Sequence, residues 1–543
     1  MIPFSGLDWA VLGLFFLVLL GVVVWSFMEK EKDTTDYFLA GRNAGWLVIG
    51  SSIFASNIGS EHLVGLSGAG AETGMAMAHW ELQSWIIIIL GWVFAPFYWS
   101  AKVYTMPEFL ERRYSSSSRT FLSFISLVSY VLTKVSVTVY AGGVVLKTVL
   151  GIDSIWGIDF FWIAAMSLVL VTGLYTVAGG MKAILVTSVI QTPILILGSL
   201  VILFVGMDKV GGMAELERIN GARMDLIRPL DDPQFPWLGV IGGSIIIGFW
   251  YWCTDQYIVQ RVLTAKGIQA ARRGTIFAGY LKLLPVFIFL FPGMIAYALH
   301  EQGQINLASA DQAFATLVTE LLPSGIKGIV IGGLIAALMS SLASLFNSSA
   351  TLFTIDFYKK YKPESSENHL VKVGRYATVA VVALGILWIP VMQLIADVLY
   401  EYLQLVQSLI APGIAAVFLL GVFFRRITPT AGFTGLVAGF VIGMTRLVLT
   451  IFEDSLPEGS IWLGMVELNW LYFCSILFIF ITLLVIGVSF FTKQASDEQV
   501  AGLTYGSISK EQRKEIRDGI DKWDIIHTLI IFGITAFIYV RFW

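Results

Sequence analysis

Six apolar stretches of the chain carry ionisable side chains, where such groups are costly to place. Glu61 and His62 lie in FASNIGSEHLVGLSGAG (54–70), Glu81 in WELQSW, Lys134 in TKVSVTVYAGG, Asp255 in FWYWCTDQY and Lys282 in GYLKLLP; the apolar run 397–424 adds Asp397, Glu401 and Gln404. Charge inside a membrane-spanning segment is by default a sign of a functional site; a structural ion pair, or a place near the interface, is the alternative reading of each residue. Their neighbours favour a polar cavity. Gln83 and Ser84 follow Glu81, and Trp250, Tyr251, Trp252 and Tyr257 surround Asp255. Donors and acceptors beside aromatic faces suit a sugar, whose hydroxyls need paired hydrogen bonds and whose C–H faces stack on rings.

A second constellation is AALMSSLASLFNSS (336–349), in which Ser340, Ser341 and Ser344 fall on or near one helical face. Serines in membrane helices ordinarily bond back to their own helix or pack against a neighbour. The alternative is a hard-cation site, made of two hydroxyls and carbonyls freed by an unwound helix. Five histidines and two cysteines show no metal-ligand spacing, and no phosphate loop or nucleophile elbow is present.

The elements that must position these groups are membrane helices. The 543 residues are 57% hydrophobic and 13% charged, which excludes an ordinary soluble domain. Repeated apolar runs close to the ~20 residues that cross a bilayer predict an all-α polytopic membrane protein of about fourteen spans. They include Trp9–Met28, Trp156–Val177, Ala183–Val205 and Pro236–Gln256. The first of these has no preceding basic region and reads as a retained span. The net charge of −3 points to no nucleic-acid partner. Segment 54–70 lies where a span should be, yet holds four glycines, three serines, an asparagine, a glutamate and a histidine. Non-helical backbone at membrane depth is tolerated only where protein buries it or where it lines a wet cavity, so this interrupted span marks a binding site. The basic loops 29–42, 101–119, 260–274, 358–375 and 424–431 are expected on the cytoplasmic side, which puts both termini outside.

The long motifs quoted above, together with APGIAAVFLLGVFFRR, DYFLAGR and TMPEFLERRY, resemble the sodium/solute symporter family from about Asp36 to Arg446. The likeness is greatest to its sodium/glucose branch. The resemblance implies a leucine-transporter-type fold of two inverted five-helix repeats, with broken first and sixth core helices. It implies a leading helix and loop over 1–43, repeats over 44–210 and 237–426 separated by an external loop 211–236, and three further helices over 427–543 with a cytoplasmic amphipathic segment 494–523. Sodium would be held by the carbonyls of Ala55, Ile58 and Ala337 and the hydroxyls of Ser340 and Ser341. The sugar would meet His62, Glu81, Ser84, Lys134, Tyr251, Lys282 and Gln404, with Trp252 alongside. Leu66 and Tyr400 would form the outer gate and Tyr251 the inner one. Ser188 stands where many members have an aspartate linked to a second sodium, so one sodium per sugar is expected. The implied activity is sodium-coupled uptake of a neutral hexose, glucose or galactose, by a monomer in the plasma membrane, with no cofactor and no enzymatic step. Another solute on the same fold (myo-inositol, sialic acid, proline or a vitamin) is the nearest rival, and a channel or sensor a more distant one.

Overall fold

The structure, a computed structural model, describes residues 5–28, 34–59, 61–101, 103–307, 309–395 and 399–543. It is helical throughout, save for a two-residue hairpin, Ser154–Ile155 against Ile158–Asp159. Among the described residues, ten helices are long and apolar enough to cross a membrane. Four shorter apolar helices, Gly6–Val22, Trp46–Asn57, Val137–Leu150 and Phe160–Leu174, account for the remaining expected spans.

The site is positioned by ten helices. α1 (Trp46–Asn57) and α2 (Ser67–Glu72) flank the first break, and α3 is the long segment Phe160–Val210. α4 (Ile245–Phe249) and α5 (Gln256–Leu263) flank the second break. Around them pack α6 (Ile268–Pro285), α7 (Phe291–Glu301), α8 (Ile326–Thr351), α9 (Leu399–Phe423) and α10 (Lys522–Arg541).

Both breaks are local departures of backbone. Ile58 is extended (φ −77°, ψ 109°) and a wide π-turn over Glu61–Leu66 leads into α2. Asp255 is extended in the same way (φ −76°, ψ 128°) after a π-turn over Trp250–Thr254. The sequence expectation ended that span at Gln256; instead the chain restarts there as α5, because the Asp255 carboxylate accepts from the Tyr257 amide and caps the new helix. Wide turns of this kind recur at functional sites.

The two spans expected over 156–177 and 183–205 run into the single helical segment α3. Its halves still act as separate spans. Leu168 packs at Gly142 beside Leu338, while Leu195 packs on Gly333, about a turn and a half away along α8. A straight helix would hold Leu168 and Leu195 about 40 Å apart, so α3 folds back along α8.

The basic-side motif TMPEFLERRY is an anchor. Buried Arg113 donates to the carbonyls of Gly421 (2.7 Å), Phe424 (3.0 Å) and Ile427 (3.1 Å), closing the end of α9. Asp356 accepts from Thr105, Ser123 and Arg119, each at 2.8 Å.

The second half of the first broken helix, α2, is wedged against α7 and the turn before it through glycines. A Cβ on Gly293 would collide with the Ser67 carbonyl, and one on Gly70 with the Leu290 carbonyl. Backbone cannot yield there as a flexible side chain can. Gly293→Ala should therefore destabilise the protein by about 1–3 kcal/mol, seen as a lower thermal midpoint of the purified carrier in detergent.

Candidate functional site

The first break meets α8 at its serines. Ser341 Oγ donates to the carbonyls of Ile58 (2.9 Å) and Ser56 (3.1 Å). The Tyr257 hydroxyl, from the start of α5, donates to the same Ser56 carbonyl. Ser56 Oγ lies 2.5 Å from Ser344 Oγ. Ser340 Oγ is buried without a hydrogen-bond partner. Ala55 and Ala337 are buried alongside in α1 and α8. The sequence reading named the carbonyls of Ala55 and Ile58; it is Ser56 and Ile58 that Ser341 meets. Gly59 permits the approach, since a Cβ there would lie 2.9 Å from Ser341 Oγ.

Between the two breaks lies a cavity of about 50 Å³. Of the residues expected at the solute, His62, Glu81, Tyr251, Trp252, Lys282 and Gln404 line it, and Leu66 of the expected outer gate does too. Lys282 Nζ is 2.6 Å from Glu81 Oε2 and sits 5.2 Å from the centre of the Trp252 ring. His62 Nε2 is 3.3 Å from Glu81 Oε1 and 3.3 Å from Asn57 Nδ2. Four polar atoms of the lining are buried without a partner: His62 Nδ1, Trp80 Nε1, the Tyr251 hydroxyl and Gln404 Oε1. Buried polar groups are ordinarily satisfied, so atoms of this kind converging on one cavity are those a polar solute would engage.

Two expected residues lie elsewhere. Ser84 does not line the cavity: the chain turns at Leu82–Gln83, which points the Ser84 hydroxyl to Thr535 of α10, 3.3 Å away. Lys134 also stands back. Its Nζ is 2.7 Å from Asp255 Oδ2 and 4.6 Å from the ring centres of both Tyr251 and Tyr257. It neutralises the carboxylate of the second break, the ion-pair reading of such residues. Asp397 and the side chains of Tyr400 and Glu401 lie outside the described residues.

The sequence reading missed Asn57, Trp80, Ile247, Gly248 and Gln407 in the cavity wall and left Glu61, also in the wall, without a role. Gln407 was recoverable from its i, i+3 spacing to Gln404 on one helix face. Gln83, noted only as a neighbour of Glu81, donates to the Ser244 carbonyl at 2.8 Å and crosses α4 at Gly248. Trp80 stacks on Trp470 with ring centres 5.8 Å apart, a contact across 390 residues that no local pattern announces. Arg446 does not line the cavity; it bonds the carbonyls of Val466 (3.3 Å) and Leu468 (2.5 Å).

Two broken helices, a polar cavity between them and hydroxyls of a third helix on the freed carbonyls define a secondary carrier of the leucine-transporter type. A profile of the sodium:solute symporter family matches residues 37–439. The sodium/glucose cotransporter 4 of Danio rerio is 36% identical over 94% of this chain and 83% of its own. The sodium/myo-inositol cotransporter 2 of Homo sapiens is 37% identical over 92% of this chain and 78% of its own. The solved structure of a Na⁺-coupled sialic acid symporter, substrate-bound and outward-open, superposes with a TM-score of 0.75 at 20% identity, covering 91% of this chain and all of that one, a likeness of fold. The chain belongs to the sodium:solute symporter family. It is a multi-pass membrane transporter rather than an enzyme, and sodium is the family's coupling ion.

The Glu81–Lys282 pair gives a stability test. Removing one partner strands a buried charge, at about 3–5 kcal/mol, whereas removing both does not. Lys282→Met should lower the thermal midpoint clearly, and Glu81→Gln with Lys282→Met should recover most of the loss.

Proposed function

We propose that the protein carries a neutral hexose, glucose or galactose, into the cell together with sodium, by alternating access. The observation that carries this reading is the cavity wall: a buried Glu81–Lys282 pair, a free Gln404 Oε1 and a free Tyr251 hydroxyl beside the rings of Tyr251 and Trp252. A carboxylate accepts from vicinal hydroxyls, an ammonium donates to them, and the rings cover the apolar face. The lining carries two carboxylates, Glu61 and Glu81, against one lysine, and no arginine among the described residues. That charge balance opposes a carboxylated solute such as sialic acid. Proline and vitamins offer fewer hydroxyls than this wall has groups to meet them. Myo-inositol is neutral and equally rich in hydroxyls, and the myo-inositol relatives keep it as the second reading.

Sodium is assigned to the carbonyls of Ala55, Ile58 and Ala337 and the hydroxyls of Ser340 and Ser341. The free Ser340 hydroxyl and the Ser341 contact with Ile58 support the assignment. Bound there, the ion would tie α1 to α8, hold the outward-open state, and favour sugar by a shared binding energy of ~1–3 kcal/mol. The membrane potential adds ~2.3 kcal/mol per charge per 100 mV. One sodium per sugar is assigned, because Ser188 spends its hydroxyl on the Ile184 carbonyl of its own helix at 2.7 Å. The protein works as a monomer in the plasma membrane with both termini outside. Leu66 and Tyr400 close the outer side and Tyr251 the inner. The repeats occupy 44–210 and 237–426.

Proteoliposomes under an inward sodium gradient should take up labelled glucose, with galactose competing, inositol distinguishing the second reading, and amino acids without effect. Ser341→Ala and Gly59→Ala should each raise the sodium needed for half-maximal uptake by about tenfold, the loss of roughly one contact to a charged ligand. A normal sodium response in both variants would remove the cation assignment. Gln404→Glu and Gly248→Ala, the latter by pushing Gln83 into the cavity, should weaken sugar affinity while sodium binding persists. Unchanged sugar affinity in both would sink the pocket assignment.

A further inference from the structure

A second cavity, of about 520 Å³, opens on the opposite side of α6 from Lys282, where the starts of α1 and α10 meet α6. Its wall holds Trp46, Phe277, Tyr280, Trp523 and His527, with Arg273 and Asp521 at its polar end. Trp46 and Trp523, 45% and 54% exposed, each stand at the first turn of a membrane helix, the level at which tryptophan marks the edge of the bilayer. Apolar side chains continue from the cavity along the outside of the same helices: Leu47, Ile526 and Leu529 are all exposed. The site thus has a polar end at the interface and an apolar track into the hydrocarbon.

The charges at the polar end are specific. Arg273 donates to Asp524 Oδ1 and Asp521 Oδ2, both at 3.0 Å. Asp524 is buried and also faces Arg272, 3.8 Å away, whose other bonds go to the carbonyls of Gly519 and Ile516. Asp524 also lines the wall, and buried Arg272 behind it offsets its charge. The charges exposed at the mouth are Arg273 and Asp521, side by side with side chains 35% and 37% exposed, and Lys522, whose Nζ lies 5.8 Å from the centre of the Trp523 ring. A guanidinium matches a phosphate, and a carboxylate matches a primary ammonium, which the nearby rings of Trp46, Tyr280 and Trp523 also attract.

The geometry points to a binding site for the headgroup of phosphatidylethanolamine: phosphate on Arg273, ammonium on Asp521 among the rings, acyl chains along Leu47, Ile526 and Leu529. A choline headgroup has no N–H to donate to Asp521. An anionic glycerol headgroup brings no cation for Asp521.

Native mass spectrometry of the delipidated full chain, given equal phosphatidylethanolamine, phosphatidylcholine and phosphatidylglycerol with identical acyl chains, tests the assignment. The protein should retain phosphatidylethanolamine over the other two by about tenfold, the worth of one charge-assisted contact. Asp521→Asn should abolish that preference, and Arg273→Gln should lower retention of all three lipids, since each carries the phosphate. Asparagine caps helices as aspartate does, so Asp521→Asn keeps the start of α10 and carries the test alone if the arginine variant does not fold. Equal retention of the three lipids by the unmodified protein, or a preference that survives Asp521→Asn, would overturn the assignment.

Discussion

The carbonyl of Ser56 is where this structure is tied together. It ends α1 and accepts from Ser341 on α8 and from Tyr257 on α5. The first break, the second break and the serine helix therefore meet on a single backbone oxygen. The constraint behind this is dehydration. A helix that unwinds inside a bilayer gives up hydrogen bonds that no water can replace, at several kcal/mol for each group left bare. Side chains of neighbouring helices must supply the missing partners, and they hold the walls of the cavity in place as they do so.

Two buried ion pairs near the breaks divide the same labour. Lys134 and Asp255 serve the second break: Asp255 accepts from the Tyr130 hydroxyl and the Tyr257 amide while Lys134 offsets its charge. That pair is enclosed by the rings of Tyr130, Tyr251 and Tyr257. Glu81 and Lys282 face the cavity instead, and His62 shares the carboxylate. Desolvation makes an unpaired charge in either place prohibitive, so each carboxylate sits with a lysine.

The last helix, α10, reaches the carrier at both ends. Near its start Asp521 and Asp524 bind Arg273. Near its end the Phe542 carbonyl accepts from the Leu226 amide at 2.6 Å, Tyr539 bonds His79 at 2.9 Å, and Arg541 pairs with Glu217. His79 in turn bonds the Leu226 carbonyl at 2.8 Å, two residues before Glu81. Segment 211–236 is thus held beside the cavity wall by α10.

Sequence alone determined the class. Apolar run length set the helical membrane fold, and the glycine and serine content of 54–70 located a break that the backbone makes at Ile58. It also located the charges: every buried ionisable group around the solute cavity lies in a motif whose polarity stands out against its run. Tertiary structure decided which of them share a cavity. Ser84 and Glu81 are three residues apart, yet one faces Thr535 and the other Lys282, because the chain turns between them. Lys134 and Lys282 look alike in sequence, but the partner each finds comes from a helix more than a hundred residues away. Periodicity reports which face of a helix is apolar; which polar groups meet across faces follows only once the helices have been packed against each other.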